Sequence, residues 1–171
     1  LRIIYCGPDL EGSSADELLE LSHQDHAPGG PEEPIRSSWL NCVGTGHTSP
    51  PGLLMHAGGK HWCLDPLVSS AEIRGSSCII HSVDQQSQVK LYHTLQIDQL
   101  SGVAHLNTKI VNGGLRDFSL EWCSVVCLPI HPRLDKIINF SGKWAGEFQT
   151  EHQPVFHGSF LKENRSGRTS H

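Results

Sequence analysis

The feature that most constrains the fold is a pair of neighbouring runs in which apolar and polar side chains alternate. The first run spans Val89–Ile97, the second spans residues 103–111, and residues 98–102, which end in Gly102, separate them. A period of two places alternate side chains on opposite faces of a strand, and a short connection of this kind joins antiparallel neighbours. The two runs therefore predict an antiparallel β-hairpin.

A third apolar run, residues 118–130, follows the sequence Asn112-Gly113-Gly114. Asn and Gly tolerate positive φ, so this tripeptide predicts a tight turn. The run begins with alternation and ends almost entirely apolar, which is typical of a central strand buried on both faces. Short strands separated by turn residues, with no long stretch of helical periodicity, favour an all-β fold, an antiparallel β-sandwich, over an α/β fold.

Composition narrows the class of protein. A chain of 171 residues is long enough for one domain with a real core, and 37% hydrophobic residues argue against disorder. A formal net charge of −5 argues against a nucleic-acid partner. The sequence contains no run of about 18 apolar residues, so no membrane is expected as a partner. Residues 1–5 are not followed by the long apolar stretch of a signal peptide, which favours a cytoplasmic location.

Cysteine and histidine spacing raises the question of disulfides or a metal site. Six cysteines, at positions 6, 42, 63, 78, 123 and 127, could pair, but a chain of this length does not need disulfides, so we favour buried, reduced thiols. His23 and His26 lie three apart, and Cys123 and Cys127 lie four apart. Zinc sites usually combine two closely spaced ligand pairs, and we interpret the two cysteines as small core residues. No metal and no cofactor are expected.

Motifs that carry chemistry by themselves are absent from the sequence. It has no Gly-x-Ser-x-Gly elbow, no phosphate-binding loop and no Gly-x-Gly-x-x-Gly fingerprint. Glu32 and Glu33 lie in a Pro-rich stretch and are interpreted as solvated acids rather than an acid–base pair. Tryptophan can stack on a sugar ring, but we favour core packing for all four tryptophans, Trp39, Trp62, Trp122 and Trp144. The residues alone indicate a β-sandwich without a self-contained active site.

The C-terminal third carries a resemblance to a known family. Residues 140–147 read Phe-Ser-Gly-Lys-Trp-Ala-Gly-Glu, a Pro-containing stretch follows at residues 153–155, and residues 163–171 end in Arg-Thr-Ser-His. Upstream, Gly-Thr-Gly at residues 44–46 precedes Pro-Gly-Leu at residues 51–53. Thr108 and Asn112 hold the places of a Thr-x-x-x-Asn-x-Gly element. In their order and spacing these motifs resemble the N-terminal domain of bacterial glycoside hydrolase family 36 α-galactosidases.

The resemblance implies a supersandwich of the galactose-mutarotase type, with residues 1–171 forming the N-terminal β-sandwich domain of a larger glycosidase. The parent would be an α-galactosidase that removes terminal α-galactosyl residues from oligosaccharides by a retaining mechanism, which uses two carboxylates about 5–5.5 Å apart. In the family both carboxylates lie in a downstream (β/α)8 barrel, so this chain is expected to hold no catalytic residue and to be inactive alone. The implied partners are that barrel, a galactosyl oligosaccharide and further copies of the full protein.

The resemblance also supplies candidate site residues. In tetrameric members a loop of this domain reaches the active site of a neighbouring subunit, and the matching stretch here is residues 45–49. Within it we expect Thr45, Gly46 and His47 to bind substrate or to contact a subunit. Many members continue Gly-Thr-Gly with Asp-Tyr-Arg, whereas this chain continues with His-Thr-Ser, so contacts made by that Asp or Arg do not carry over. Two alternatives stay open: an ordinary turn at these residues, and a stand-alone carbohydrate-binding or assembly sandwich without an enzymatic parent.

Overall fold

The computed structural model describes residues 3–5, 10–21, 38–46, 50–128, 133–156, 158–163 and 165. Its elements are helix α1 (Ala15–Leu21), a 3-10 turn (Val43–Thr45), and strands β1 (Leu53–His56), β2 (Leu67–Arg74), β3 (Ser77–Val83), β4 (Val89–Ile97), β5 (Ala104–Asn112), β6 (Ser119–Cys123), β7 (Lys136–Lys143) and β8 (Gly146–Pro154). The chain divides into two compact units, Leu1–Pro129 and Ile130–His171.

The predicted hairpin forms half of a four-stranded antiparallel sheet in the first unit. The strand order is β2-β3-β4-β5, and β4 pairs with β5 from Val89, opposite Asn112, to Ile97, opposite Ala104. Gly102, at the end of the connecting loop, has a φ of 70°, which glycine adopts without the steric cost that a side chain would add. The hairpin prediction is confirmed.

The core of the first unit lies between this sheet and a two-stranded sheet of β1 and β6. Leu53 and Met55 of β1 pack with Val89 and Leu91 of β4 in one buried cluster. The alternation in β4 explains this packing, because positions 89, 91 and 93 are buried while 90 and 92 are only partly so. Two antiparallel sheets that share an apolar core make a β-sandwich, which confirms the predicted fold class.

The third apolar run departs from its prediction. Among the described residues of this run, 118–128, only Ser119–Cys123 forms a strand, and all five of its residues are exposed. Within the described chain this strand pairs with β1 alone. The run then leaves the ladder, and the N–H of Cys127 donates to the carbonyl of Trp39 at 2.8 Å. The prediction of a central strand buried on both faces is therefore wrong. Burial of the second face needs a covering layer of structure, and a local apolar pattern does not reveal whether that layer exists.

Core packing is confirmed for Trp39, which packs against the buried cluster. It is wrong for Trp122 and Trp144, which are 51% and 77% exposed, and Trp62 also lies at the surface. The five described cysteines are unpaired: Cys42 is buried, Cys78 and Cys127 are partly buried, and Cys63 and Cys123 are exposed. The expectation of buried thiols therefore fails for the last two, while Cys6 lies outside the described residues.

The second unit is an antiparallel hairpin of β7 and β8 with one apolar and one polar face. Phe140 and Phe148 meet edge to face on the apolar side, with ring centroids 6.4 Å apart. On the other side Asn139 and Ser141 both donate hydrogen bonds to the Glu151 carboxylate. These hydrogen bonds hold the pKa of Glu151 below its usual range, and the bond from Ser141 has the larger effect.

Candidate functional site

Three loops meet at one end of the four-stranded sheet. They are residues 61–65 before β2, residues 84–88 between β3 and β4, and residues 112–116 after β5. We call them together the braced end. The antiparallel registers place them side by side, because β3 ends there and β4 begins there. The opposite end of the same sheet, which we call the turn end, carries the connections at residues 74–77 and 97–103.

Asp84 ties the first two loops of the braced end together. This residue is 5% exposed, and its carboxylate accepts hydrogen bonds from the N–H of Asp65 at 2.9 Å and from the N–H of Ser87 at 2.7 Å. The Ser87 hydroxyl donates a third. Burial raises the pKa of this carboxyl, but the hydrogen bonds from Ser87 and Asp65 outweigh burial and hold the pKa below its usual range. A carboxylate so occupied fixes the loops and is not available as a general acid.

The third loop is held by Asn112 and two glycines. The Asn112 amide donates to the carbonyl of Arg116 at 2.7 Å and accepts from the N–H of Gly114 at 3.0 Å. A Cβ at Gly113 or Gly114 would lie 2.8 or 2.5 Å from carbonyl oxygens of residues 84–88. Neither glycine has positive φ, so the tolerance of positive φ that the sequence offers is not what this loop uses. The glycines are needed because two backbones approach closely.

Two adjoining depressions open at the braced end. The larger, of about 450 Å³, is lined by residues that include His61, Gln86, Arg116 and Phe118. The smaller, of about 280 Å³, is lined by residues that include His61, Trp62 and Gln86. His61 and Gln86 belong to both walls, so the two depressions form one continuous surface feature.

His61 stands at the junction of the depressions in a left-handed conformation, with a φ of 61°. Its Nε2 accepts a hydrogen bond from the Arg116 guanidinium, which requires that nitrogen to be unprotonated. A left-handed backbone conformation in a residue other than glycine costs roughly 1–2 kcal/mol of conformational free energy, and such conformations concentrate at functional sites. No carboxylate pairs with Arg116 in the part of the chain that the structure describes.

Trp62 is oriented by its neighbours. Its ring lies on that of His56, with centroids 4.3 Å apart and a 40° tilt, and its indole N–H donates to the carbonyl of Gly59 at 3.0 Å. His56 Nδ1 accepts the N–H of Gly59 at 3.0 Å. The proton of a neutral ring is therefore on Nε2, which donates to the Glu121 carboxylate at 2.9 Å. Trp62 thus has one face covered and remains 36% exposed.

Two of the three residues singled out from the sequence, Thr45 and Gly46, lie in a turn that is joined to the braced end. Thr45 closes the 3-10 turn, and its hydroxyl donates to the carbonyl of Cys42 at 2.7 Å. Gly46, with a φ of 75°, caps the turn. Both residues are exposed, while His47 lies outside the described residues. Their roles in substrate binding or subunit contact stay predictions.

Gly44 anchors this turn to the loop at residues 61–65. Its N–H donates to the carbonyl of Leu64 at 3.0 Å. A Cβ at Gly44 would lie 2.4 Å from that oxygen. Because Leu64 also lines the smaller depression, the turn and the braced end share one wall.

Thr108, one of the two residues in the Thr-x-x-x-Asn element, holds a buried histidine. The Thr108 hydroxyl donates to the carbonyl of Val125 at 2.8 Å, so it accepts from Nδ1 of His93, 3.0 Å away. Burial lowers the pKa of His93 to about 4, and the residue is 3% exposed. His93 is therefore a neutral structural group near pH 7.

Sequence reasoning missed His61, Asp84 and Arg116. Asp84 had a usable signal, since an Asp followed three residues later by Ser between two strand patterns is turn chemistry. His61 and Arg116 lie 55 residues apart, and no local pattern connects them.

Two further findings apply to the described part of the chain. No group of three or more His, Cys, Asp or Glu side chains there is placed to hold a metal ion. None of the helices in those residues combines the length and apolar character needed to span a bilayer.

Comparison with known proteins places these features in a family. The family model described as "Glycosyl hydrolase family 36 N-terminal domain" matches residues 1–171. A protein of Escherichia coli named "Alpha-galactosidase" is 27% identical over 181 residues, which covers 99% of this chain and 24% of that protein. No solved structure gives a significant match. Because the family model covers the whole chain, this chain belongs to the glycosyl hydrolase family 36 N-terminal domain family.

Proposed function

We propose that this chain is the non-catalytic N-terminal domain of an α-galactosidase that hydrolyses terminal α-galactosyl residues of oligosaccharides by a retaining mechanism. The observation that carries the proposal is the match of the family model to residues 1–171. Similarity to a relative named as an α-galactosidase supports it, and the chain spans 24% of the length of that relative.

The carboxylates at the braced end support a non-catalytic role. A retaining glycosidase needs two carboxyl groups about 5–5.5 Å apart across the scissile bond. Among the described residues, no carboxylate lines the larger depression, and Asp84 is the one carboxylate that lines the smaller. Asp84 is buried and saturated with hydrogen bonds. We therefore assign the nucleophile and the acid–base residue to a (β/α)8 barrel elsewhere in a parent polypeptide.

Exposed apolar surface supports packing against such a partner. In the second unit Ile138, Phe140, Trp144 and Phe148 are all exposed. A two-stranded hairpin is marginally stable in water by itself, and apolar patches of this kind usually mark an interface. A catalytic barrel in the same polypeptide is the partner we propose for this face.

Within the parent enzyme we assign contact with the galactosyl substrate or with a neighbouring subunit to Thr45, Gly46 and His47. The first two are exposed, and Gly44 fastens their turn to the braced end. A binding turn built on a rigid base loses less conformational entropy when it meets its ligand. The further copies of the protein implied by the subunit role are part of this proposal.

The proposal is tested by hydrolysis of a nitrophenyl α-galactoside by the full-length polypeptide that carries this chain. We expect the α-galactoside but not the β-galactoside to be cleaved, and residues 1–171 alone to be inactive. Activity of the isolated chain would contradict the non-catalytic assignment. A full-length polypeptide inactive on every α-galactoside would favour the stand-alone binding or assembly sandwich.

The role of the turn is tested with two glycine variants of the full-length polypeptide. Gly44→Ala brings a Cβ within 2.4 Å of the Leu64 carbonyl and should displace the turn, so kcat/KM for an α-galactosyl oligosaccharide should fall. Gly102→Ala, at the turn end, meets open space and serves as the control. Equal kcat/KM values in the two variants would argue for an ordinary turn.

A further inference from the structure

We propose that the two depressions of the braced end are a second binding site, which takes one pyranose unit of a neutral oligosaccharide. Their volumes, about 450 and 280 Å³, compare with the range of roughly 300–1,000 Å³ for small-molecule sites. The choice of a sugar as the ligand rests on the proposed function, whereas the location of the site rests on the geometry of the loops.

The larger depression presents planar polar groups with unused hydrogen-bonding capacity. Arg116 donates to His61, and a guanidinium has five N–H donors, so most of its donors remain available. The Gln88 amide donates to the carbonyl of Gln85 at 2.8 Å, which leaves its oxygen as an acceptor. Gln86 lies on the same wall with its side chain exposed. Paired donors and acceptors of this kind suit the neighbouring hydroxyls of a sugar ring.

The smaller depression adds an aromatic wall. Trp62 has one face on His56 and is 36% exposed, so part of its indole is available to the C–H face of a pyranose. Gln86 lines both depressions. A ring that lies on Trp62 can therefore direct its hydroxyls towards Gln86 and, beyond it, Arg116.

The site is organised before any ligand arrives. The Asp84 hydrogen bonds and the close approach of Gly113 and Gly114 hold the loops together. Binding then requires little ordering of backbone. The charge pattern favours a neutral ligand, because the Arg116 cation lines the larger depression and the Asp84 carboxylate lines the smaller one, so the two charges offset each other.

The test is hydrogen-exchange mass spectrometry on the full-length polypeptide. A neutral α-galactosyl trisaccharide, raffinose, is added in large excess immediately before labelling pulses that are short enough to leave most of it uncleaved. We expect slower amide exchange in peptides that cover residues 84–88 and 112–116. Trp62→Ala and Arg116→Ala should each raise the half-protecting raffinose concentration about tenfold, as loss of one aromatic or charge-assisted contact implies. Gln86→Ala changes an exposed side chain and should raise it by a smaller factor without disturbing the fold.

Leu100→Ala is the control, since that exposed side chain lies at the turn end, and it should leave the protection unchanged. If the wild-type polypeptide hydrolyses α-galactosides yet shows no protection of the two loops at saturating raffinose, this inference is wrong while the proposed function stands. Stronger protection of the two loops by a galacturonate, an anionic sugar, than by raffinose would also overturn the proposal of a site for a neutral sugar. If no α-galactoside is hydrolysed, protection of the loops still supports the site, and the proposed function is what fails.

Discussion

The two ends of the four-stranded sheet differ in the hydrogen bonds that hold their loops. At the braced end the Asp84 carboxylate accepts from the N–H of Asp65, 19 residues away in the chain. At the turn end the Asp98 carboxylate accepts from the N–H groups of Leu100 and Ser101, two and three residues away. Loops that are joined by hydrogen bonds enclose a concave surface between them. A turn whose hydrogen bonds are all internal does not hold the neighbouring loops in place. The difference supports the braced end, rather than the turn end, as the proposed ligand-binding site.

The largest expected difference in the free energy of unfolding comes from adding one methyl group, by a glycine-to-alanine substitution, at each end of the sheet. Gly114→Ala puts a Cβ 2.5 Å from a backbone carbonyl of the neighbouring loop, so we expect a loss of about 3 kcal/mol in the free energy of unfolding, as for overpacked interiors. Gly102→Ala meets open space at a φ of 70°, and should cost about 1 kcal/mol through backbone strain alone. Urea unfolding measures both. Equal losses would mean that the two ends do not differ in packing.

The two aspartates provide a second matched pair. Asp84→Asn removes a buried charge that accepts three hydrogen bonds, and we expect about 2 kcal/mol of destabilisation. Asp98→Asn changes an equally bonded but exposed carboxylate, so its effect should be clearly smaller. Thermal unfolding at pH 7 compares them, and a larger effect for Asp98→Asn would contradict the comparison.

The lowered pKa of Asp84 also predicts a pH dependence of stability. The pKa of Asp84 is lowered in the folded chain, with burial opposing and the hydrogen bonds of Ser87 and Asp65 prevailing. A lowered carboxyl pKa contributes stability that is present above the unfolded pKa of about 3.9 and is lost as the pH falls through the folded pKa. The Asp84→Asn variant should therefore show a flatter loss of stability below pH 4 than the parent chain. An unchanged acid profile would argue against this linkage.

The smallest effect concerns His93, which lies in β4 between the two ends. Burial lowers its pKa to about 4, so protons bind the unfolded chain first, and stability present above about pH 6.5 is lost as the pH falls towards 4. Between pH 7 and 5.5 the loss should be about 1 kcal/mol. His93→Gln, which keeps a donor for Thr108, should remove this dependence. Unfolding of both variants across that pH range checks it, and a dependence that persists in His93→Gln would exclude His93 as its source.

The parts of the fold that the sequence predicts are those governed by near neighbours. The alternation in Val89–Ile97 is enough to predict β4 and, with the loop that follows, its pairing with β5. The exposure of Trp122 could not be predicted, because it depends on which layer covers β6. The glycines at 113 and 114 signalled a turn, but only the structure shows that they serve the approach of a second loop. Arg116 and His61 meet through tertiary structure alone.

The resemblance and the structure contribute differently to the candidate site. The family motif drew attention to Thr45 and Gly46, which the structure places on a turn fastened to Leu64. It also marked Thr108 and Asn112, whose side chains hold His93 and the loop at residues 112–116. The depressions around His61 have no counterpart in the sequence motifs, because their walls come from three separated loops.

The most direct test of the central claim is an NMR time course of α-galactoside hydrolysis by the full-length polypeptide, with residues 1–171 alone as the comparison. The account predicts that α-galactose appears first and then mutarotates, as a retaining enzyme requires, while the isolated chain releases no galactose. Release of β-galactose first would contradict the retaining mechanism. Release of galactose by residues 1–171 alone would contradict the claim that this domain is non-catalytic.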